Sequence, residues 1–473
     1  MVKRREIDFT SGPLLKRIIL YSLPIICVNV LQLLFTAADV AVLGIFASDQ
    51  AVAAVGGNTS ITTLLISFFV GLSIGTNVLV ARAVGARDKE KAEKLVGTAV
   101  FASLVFGSLI MVGGIALSEQ LLLWTNCDEA VIPYAIKYLR IYLLGMPIIM
   151  LYNFAASILR AVGDTVRPLI FLTIGGIVNV ILNVIFVTVV GLDVEGVAIA
   201  TVASNVISAV CALYVMIKNT GYAKFTRRSF KIDFASLKEI LSIGLPIGIS
   251  RCLTSFANVV LASAINALGD LVMAANAIAK EFDAIILEAL HGVSLGNIAV
   301  ISQNLGAKKP ERIKSSIFLS LSITAVIGVV LGTALFFSAE SLASIMTDTP
   351  LVIDLAVVRL WILGVPYVLC GIVGVIQESV RGLGYSNTAL GISIFTNIIL
   401  RLIYISTVYP LLYRENDPIH NYAMICLVWP GSWIIAIALG SIILVYFYKK
   451  VKKQIENEKS QINTERNEEN VTN

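Results

Sequence analysis

The stretch from Leu20 to Gly44 reads LYSLPIICVNVLQLLFTAADVAVLG and decides the fold class of the chain. It is longer than the roughly 20 apolar residues that an α-helix needs to cross a bilayer. It nevertheless contains an ionisable residue, Asp39, and a carboxylate at membrane depth costs about 2.5–3.5 kcal/mol on insertion scales. Such residues usually face a cavity or a partner. We therefore expect a membrane helix whose Asp39 side points into the protein.

A polar stripe runs along this helix. Asn29, Gln32, Thr36 and Asp39 follow one another at steps of three, four and three residues, which places them on one helical face. Pro24 lies inside the helix, removes a backbone hydrogen bond there and favours a bend. A polar contact between packed helices would also produce such a stripe, but an Asp is more costly in that role than the usual Ser or Thr.

The composition extends this reading to the whole chain. Of the 473 residues 57% are hydrophobic and only 14% are charged, whereas soluble domains have about 25% charged residues. We expect an all-α polytopic membrane protein, without a cleavable signal peptide because the first apolar run is too long for one. Twelve apolar segments are visible, near residues 18–45, 53–81, 95–118, 132–158, 167–190, 196–217, 237–266, 274–301, 316–338, 353–378, 387–409 and 422–448.

The basic residues predict the orientation of the segments. The two ends of the chain and the connections from even to odd segments contain 29 of the 36 Lys and Arg residues. Because positive charge collects on the cytoplasmic side, we expect both termini in the cytoplasm and a location in the cell membrane. The basic connection 218–236 is then a cytoplasmic linker between an N-terminal lobe, 1–217, and a C-terminal lobe, 237–448. Residues 449–473 are polar and predict a disordered tail.

The two lobes repeat each other at an offset of 218 to 222 residues. LKRIILYSLPI in the first segment recurs as LKEILSIGLPI in the seventh, and RIYLLGMP in the fourth recurs as RLWILGVP in the tenth. The second pair aligns Arg140 with Arg359, and a third, VNVILNVIF with TNIILRLIY, aligns Asn183 with Arg401. Each half has six segments, an even number, so the repeat is parallel, about an axis normal to the membrane. Duplication in a channel or scaffold is the alternative to a transporter.

The order of these motifs resembles the multidrug and toxic compound extrusion (MATE) family over residues 12–448. The similarity rests on SLP before an intramembrane Asp, GA with a basic run after the second and eighth segments, and QNLGAKKPER. It implies a secondary antiporter that exports organic, cationic or amphipathic compounds in exchange for protons or sodium ions, by alternating access of two lobes. It also implies small-molecule substrates, a bilayer environment and a monomer, with no cofactor, resident metal or nucleic-acid partner.

The resemblance also implies a polar ion-coupling cluster in the N-terminal lobe, formed by Asp39, Asn153, Asn179, Asn183 and Thr201. Pro24 matches a proline whose bend is linked to protonation in the family. The family often has an aspartate where this chain has Asn183, so the lobe has one carboxylate fewer. Asn179 and Asn183 are four residues apart and share a helical face. Their oxygens suit either a transient sodium ion or hydrogen bonds to a protonated Asp39.

The C-terminal lobe contains further candidates for a substrate cleft. Glu281, Glu288 and His291 step by seven and three residues along one face of the eighth segment, and a carboxylate stripe there would suit cationic substrates. Tyr138 and Arg251 are the other residues expected in the cleft. Internal ion pairing is the alternative, between Arg251, Lys280 and Arg401 on one side and Glu281, Asp283 and Glu288 on the other.

Competing functions stay open on the sequence. A flippase for lipid-linked saccharides has a related two-lobed plan and a more cationic cleft, which Arg251 and Arg401 keep possible. A membrane-embedded enzyme would need a catalytic set, and the sequence has no HExxH, Asp-rich metal motif or Gly-rich phosphate loop. We therefore expect a protein that is not an enzyme. The two histidines and the six cysteines have no metal-ligand spacing; the cysteines are Cys27, Cys127, Cys211, Cys252, Cys370 and Cys426.

The charge pattern generates a topology prediction. Single cysteines at Lys89, Arg227 and Lys309 should be protected from impermeant thiol reagents in intact cells, and those at Asp128 and Asp348 should be labelled, because basic connections stay in the cytoplasm. The background protein lacks the six native cysteines. Labelling of position 227 from outside would contradict the orientation.

Overall fold

The structure is a computed structural model that describes residues 6–124, 130–226 and 229–472. The predictions for Cys127, Asp128 and Arg227 concern residues outside these ranges. Within them, ten helices are long and apolar enough to cross a membrane, and two further pairs of helices pass the same test together. The prediction of twelve transmembrane helices in an all-α protein is confirmed.

We number the twelve membrane-crossing elements as spans 1 to 12. In chain order they are Leu14–Phe46, Asp49–Ala86, Lys89–Trp124, Ile132–Leu144 with Met146–Ala161, Val166–Val189, Val194–Lys218, Phe234–Asn266, Asp270–Gly306, Pro310–Met346, Pro350–Gly364 with Tyr367–Gly382, Ser386–Leu412, and Pro418–Cys426 with Val428–Thr472.

Spans 4 and 10 are broken at equivalent points of the repeat. Their two helices meet at angles of 50° and 46°, at Pro147 and Pro366, which have no backbone N–H to continue the helix. Spans 5 and 11 instead contain π-helical turns, at Ile185–Val189 in span 5 and at Ile394–Ile399 and Tyr404–Val408 in span 11. The turns that begin at Ile185 and Tyr404 start two and three residues after Asn183 and Arg401. π-Turns of this kind often mark functional sites.

The described chain forms two compact units. Unit 1 comprises Leu20–Val80 and Asp88–Phe256 with the residues before Asp8; unit 2 comprises Asp8–Ile19, Ala81–Arg87 and the residues from Ala257 onward. Unit 2 thus includes the start of span 1 and the end of span 2, and unit 1 includes the first part of span 7. The lobe boundary at 218–236 stays a prediction.

Spans 7 to 12 form a large apolar cluster in unit 2. Fully buried Tyr367 and Tyr422 pack there with Leu290 and Leu360. The segment that leads into span 1 is held in the same unit through its backbone carbonyls. The Arg312 guanidinium donates to the oxygen of Phe9 at 2.8 Å and to those of Ser11 and Gly12. Packing and polar contacts of this kind stabilise membrane folds, in which helix association gains little from the hydrophobic effect.

The predicted disorder of residues 449–473 is wrong for the backbone through Thr472, because the last helix runs from Val428 to Thr472. The polar tail has many Glu, Lys and Gln residues, which are good helix formers. Surface ion pairs support it: Lys452 Nζ lies 2.8 Å from Glu311 Oε1, and Lys308 Nζ lies 2.6 Å from Glu458 Oε2. Low hydrophobicity therefore does not prevent an extended helix here.

Two glycines in the GA motifs let the ends of spans 2 and 8 pack backbone to backbone in unit 2. A Cβ at Gly85 would overlap the carbonyl oxygen of Gln303, and a Cβ at Gly306 would overlap that of Arg82. Residues 85 and 306 are equivalent in the repeat, as are 82 and 303. The contact is therefore nearly symmetric, and small residues are required on both sides of it.

This packing predicts that Gly85→Ala destabilises the protein by about 1–3 kcal/mol, because the added methyl group must displace a backbone. Gly113→Ala in span 3 is the matched control, since apart from the adjacent residues and backbone of its own helix no described atom lies within 4 Å of a Cβ there. Alanine favours a helix by about 0.5–1 kcal/mol over glycine, so Gly113→Ala should melt at or above the wild-type temperature in detergent. Equal melting temperatures for both variants would contradict the close contact.

Candidate functional site

A continuous series of hydrogen bonds links spans 1, 5 and 6 in unit 1. Asn183 Nδ2 donates to Asp39 Oδ1 at 2.5 Å and to Asn179 Oδ1 at 3.3 Å. Asn179 Nδ2 donates to Thr201 Oγ1 at 3.3 Å, and the Thr201 hydroxyl donates to the Val197 oxygen at 2.9 Å. The structure therefore brings together four of the five residues proposed for ion coupling.

Small residues on span 5 allow this approach. A Cβ at Gly176 would overlap the ring of Phe35 on span 1, and one at Gly175 would overlap the Ser208 hydroxyl on span 6. Both glycines lie about one turn before Asn179, so spans 1 and 6 come close to span 5 just where its two asparagines point. The helical spacing of 179 and 183 then places both amides on the shared face.

The cluster is shielded and has one unused acceptor. Asn179 and Asn183 are buried and Asp39 is half-buried. Asn183 Oδ1 is buried and has no hydrogen-bond partner within the described part of the chain. Two buried tyrosines, Tyr138 and Tyr142, stack at 6.1 Å between ring centroids and lie within electrostatic range of Asp39. The site thus combines one carboxylate with neutral oxygen atoms, and the charge of Asp39 acts on the two buried tyrosines.

Two other residues of the N-terminal lobe are placed differently from this cluster. Asn153 Nδ2 donates to the Ile149 oxygen of its own helix at 2.9 Å, and the structure shows it in no hydrogen bond to the other four. Pro24 is buried in span 1, which is helical on both sides of it. The bend at Pro24 stays a prediction.

Unit 2 contains a second polar network, which the sequence analysis did not predict. Arg359 Nε lies 2.8 Å from Asp283 Oδ2, and Arg359 Nη1 donates to Asn276 Oδ1 at 3.0 Å. The Tyr422 hydroxyl donates to the same Asn276 oxygen at 3.1 Å, and the guanidinium carbon lies 4.8 Å from the centre of the Trp429 ring. A buried Arg and a buried Asp therefore neutralise each other.

A cavity of about 240 Å³ adjoins this network. Its lining includes three charged residues, Lys280, Asp283 and Arg359, and three aromatic ones, Tyr367, Trp429 and Trp433. Asn276, Lys280 and Asp283 step by four and three residues along span 8, which is the sequence signal that could have identified this face.

The predicted cleft residues lie elsewhere. Glu281 and His291 are exposed, and Glu288 Oε1 lies 3.9 Å from His291 Nδ1. Arg251 is half-buried on span 7, in the part that belongs to unit 1. Neither these four residues nor Tyr138, the fifth residue predicted for the cleft, which belongs to unit 1, line the cavity in unit 2. Their role in substrate binding stays a prediction.

Arg401 occupies the position in unit 2 that is equivalent to Asn183. It is buried, and its two terminal nitrogens donate to Asn258 Oδ1 and Asn397 Oδ1, each at 3.3 Å. Asn258 also lines the cavity. Equivalent points of the repeat therefore hold a carboxylate with amides in unit 1 and a guanidinium with amides in unit 2.

Comparison with known proteins gives a consistent result. The chain is 28% identical over 389 residues to the probable multidrug resistance protein YoeA of Bacillus subtilis, with 80% of this chain and 83% of that protein covered. It is 24% identical over 398 residues to a FAD transporter of Shewanella oneidensis, with 83% and 87% covered. A solved outward-facing structure of a multidrug resistance MATE family transporter superposes with a TM-score of 0.86 at 23% identity, covering 95% of this chain and 100% of that one.

The family relationship rests on both halves of the chain. The model of the MatE family matches residues 24–185 and again residues 246–406, which are the two repeats recognised in the sequence. The twelve-span fold agrees with that of the solved relatives. Since the matched residues make up more than half of the chain, this protein belongs to the MatE family of membrane transporters.

Proposed function

We propose that this protein is a secondary antiporter that exports organic, cationic or amphipathic compounds in exchange for protons or sodium ions. The observation that carries the proposal is the hydrogen bond between Asn183 and Asp39, which attaches the carboxylate of span 1 to spans 5 and 6. The relatives named as multidrug resistance proteins support the substrate class. A location in the cell membrane with both termini in the cytoplasm belongs to the same proposal.

Protonation of Asp39 reverses the direction of hydrogen bonding through the cluster. An ionised Asp39 accepts from Asn183, whereas a protonated Asp39 donates and requires an acceptor. Rotation of the Asn183 amide supplies that acceptor, and Asn179 must then turn so that its own amide nitrogen faces Asn183. Thr201 finally donates to Asn179 in place of the Val197 oxygen. The charge on span 1 is thereby transmitted to span 6.

A sodium ion acts on the same groups without a proton. Hard cations bind oxygen ligands, and the cluster offers Asp39, the amide oxygens of Asn179 and Asn183, and the Thr201 hydroxyl. Either ion neutralises one carboxylate, so this cluster couples one positive charge per cycle. An antiporter needs ion and substrate to favour different states, and the neutral and charged forms of Asp39 meet that need.

Lipid-linked saccharide flipping is the second candidate. The observation that favours it is the buried Arg401 guanidinium, whose hydrogen bonds go to amide oxygens, because a cationic site suits a pyrophosphate. Efflux of dyes from proteoliposomes that contain no lipid-linked substrate distinguishes the two functions.

We expect Asp39→Asn to abolish gradient-driven export and to retain substrate binding, because the neutral amide imitates the protonated residue permanently. Folding should be intact, since a neutral side chain is less costly than a carboxylate in a bilayer. Efflux is measured in proteoliposomes with the pH and sodium gradients imposed separately, and binding is measured on purified protein. Wild-type efflux in Asp39→Asn would falsify the assignment of Asp39 as the coupling residue.

Asn183, which belongs to the cluster, and Asn153, which lies outside its hydrogen bonds, provide a matched pair of substitutions. Asn183→Ala removes the bond to Asp39 and should lower the efflux rate about tenfold, because a hydrogen bond to a charged group contributes about 1.5–3 kcal/mol. Asn153→Ala removes only a bond to its own helix and should leave the rate within about twofold of wild type. If the two variants behave alike in the same efflux assay, the hydrogen-bond series has no role in coupling.

A further inference from the structure

We propose that the cavity of unit 2 binds an aromatic anion: a flat ring system that bears a carboxylate or phosphate group. Lys280 binds the anionic group, and Trp429, Trp433 and Tyr367 enclose the ring. The proposal rests on the proposed export function and names its substrate class, since an aromatic anion is an amphipathic compound.

The charges that line the cavity have a positive sum. Lys280 and Arg359 are cationic and Asp283 is the anionic residue among the lining residues. The Asp283 carboxylate is already engaged, because Arg359 Nε lies 2.8 Å from its Oδ2. This pair leaves Lys280 as the remaining charge of the lining. An organic anion neutralises that charge, whereas an organic cation would add to it.

Lys280 is available for a ligand. Within the described part of the chain it takes part in no hydrogen bond or ion pair that the structure shows, and its side chain is exposed at the cavity. It lies ten residues into span 8, which begins at Asp270, and so about 15 Å along the helix axis. A lysine within a membrane-spanning helix is costly unless it faces a cavity or a counter-charge.

Arg401 strengthens the preference for anions from behind the cavity wall. Its guanidinium donates to Asn258, which lines the cavity, and to Asn397. No carboxylate lies within ion-pair distance of Arg401 among the described residues of the chain. Charges interact more strongly in a shielded interior than in water, so this positive charge acts on a ligand that it does not touch.

The aromatic residues fix the shape of the ligand. The ring centroids of Tyr367 and Trp433 lie 5.7 Å apart. The Arg359 guanidinium packs over one face of the Trp429 ring. A volume of about 240 Å³ falls just below the range of about 300–1,000 Å³ for pockets that hold drug-sized molecules. A one- or two-ring compound with a short acidic arm fits this space.

The test compares two probes that share one ring and differ in charge: indole-3-acetate, an anion, and tryptamine, a cation. Equilibrium binding of the tritiated probes is measured on the purified, full-length protein in detergent without any gradient. Wild type should bind indole-3-acetate more tightly than tryptamine. Lys280→Gln should weaken indole-3-acetate about tenfold, since a charged hydrogen bond is lost, whereas Lys280→Arg should restore most of the affinity.

Two controls separate ligand binding from a structural role. Lys314→Gln removes an exposed lysine of span 9 in the same unit and should leave both affinities within about twofold of wild type. Lys280→Gln should keep the wild-type melting temperature and its tryptamine affinity. Tighter binding of tryptamine by wild type, or unchanged indole-3-acetate binding in Lys280→Gln, would overturn the proposal.

The outcome is independent of transport. A protein that binds indole-3-acetate through Lys280 and shows no gradient-driven efflux of any compound would refute antiport alone. A protein that exports dyes and has no preference for the anion would refute the assignment of the cavity alone.

Discussion

Inside a hydrocarbon layer a polar side chain has no water to bond with, so each buried donor and acceptor must find its partner within the protein. In each unit an amide holds the central position of the buried polar network. Asn183 joins Asp39 to Asn179 in unit 1, and Asn276 joins Arg359 to Tyr422 in unit 2. An amide both donates and accepts, so it can serve a charged neighbour of either sign. The helices are arranged around these bridges.

The repeat uses one backbone plan for two kinds of polar chemistry. Broken helices at Pro147 and Pro366 and π-turns after residues 183 and 401 recur in both halves. The side chains beside them do not recur, because Asn183 is replaced by Arg401. A single-carboxylate cluster suits the reversible uptake of a small cation, whereas a guanidinium and a lysine suit an anionic group. On the two proposals made above, ion and substrate are bound by different halves of one duplicated fold.

Much of the fold can be predicted from the sequence. The length of the apolar segments, the positions of the prolines and the charge of the connections each affect the structure of the residues close to them in the chain. The cluster around Asp39 was also predicted, from the family resemblance, and the spacing of Asn179 and Asn183 adds that their amides share a helical face. The network of Arg359 was not predicted. Its repeat equivalent, Arg140, is exposed and donates to Ser118 Oγ at 3.0 Å, whereas Arg359 is buried against Asp283. Burial depends on the neighbouring spans, so two aligned arginines look alike in sequence and differ in structure.

Asn153 also shows that sequence does not determine which hydrogen bond a side chain makes. The resemblance placed it in the ion-coupling cluster, but its amide donates to a backbone oxygen four residues earlier, an internal solution that is open to any asparagine in a helix. The helical tail after Lys449 is a further case, since its composition is compatible both with disorder and with a helix supported by ion pairs. Sequence patterns show which hydrogen bonds and which secondary structure a residue is able to form. Packing against its neighbours determines which of these it forms.

The contact between the two GA motifs has the form of an interface between identical subunits. Gly85 lies against Gln303 and Gly306 against Arg82, which is the reciprocal pairing of a two-fold dimer. In a true homodimer every substitution in such a patch appears twice and must suit its own copy. When both copies lie in one chain, each side can change alone, and Arg82 and Gln303 have already diverged. A fused pair of halves is therefore free to become chemically unlike while keeping its symmetric backbone contact.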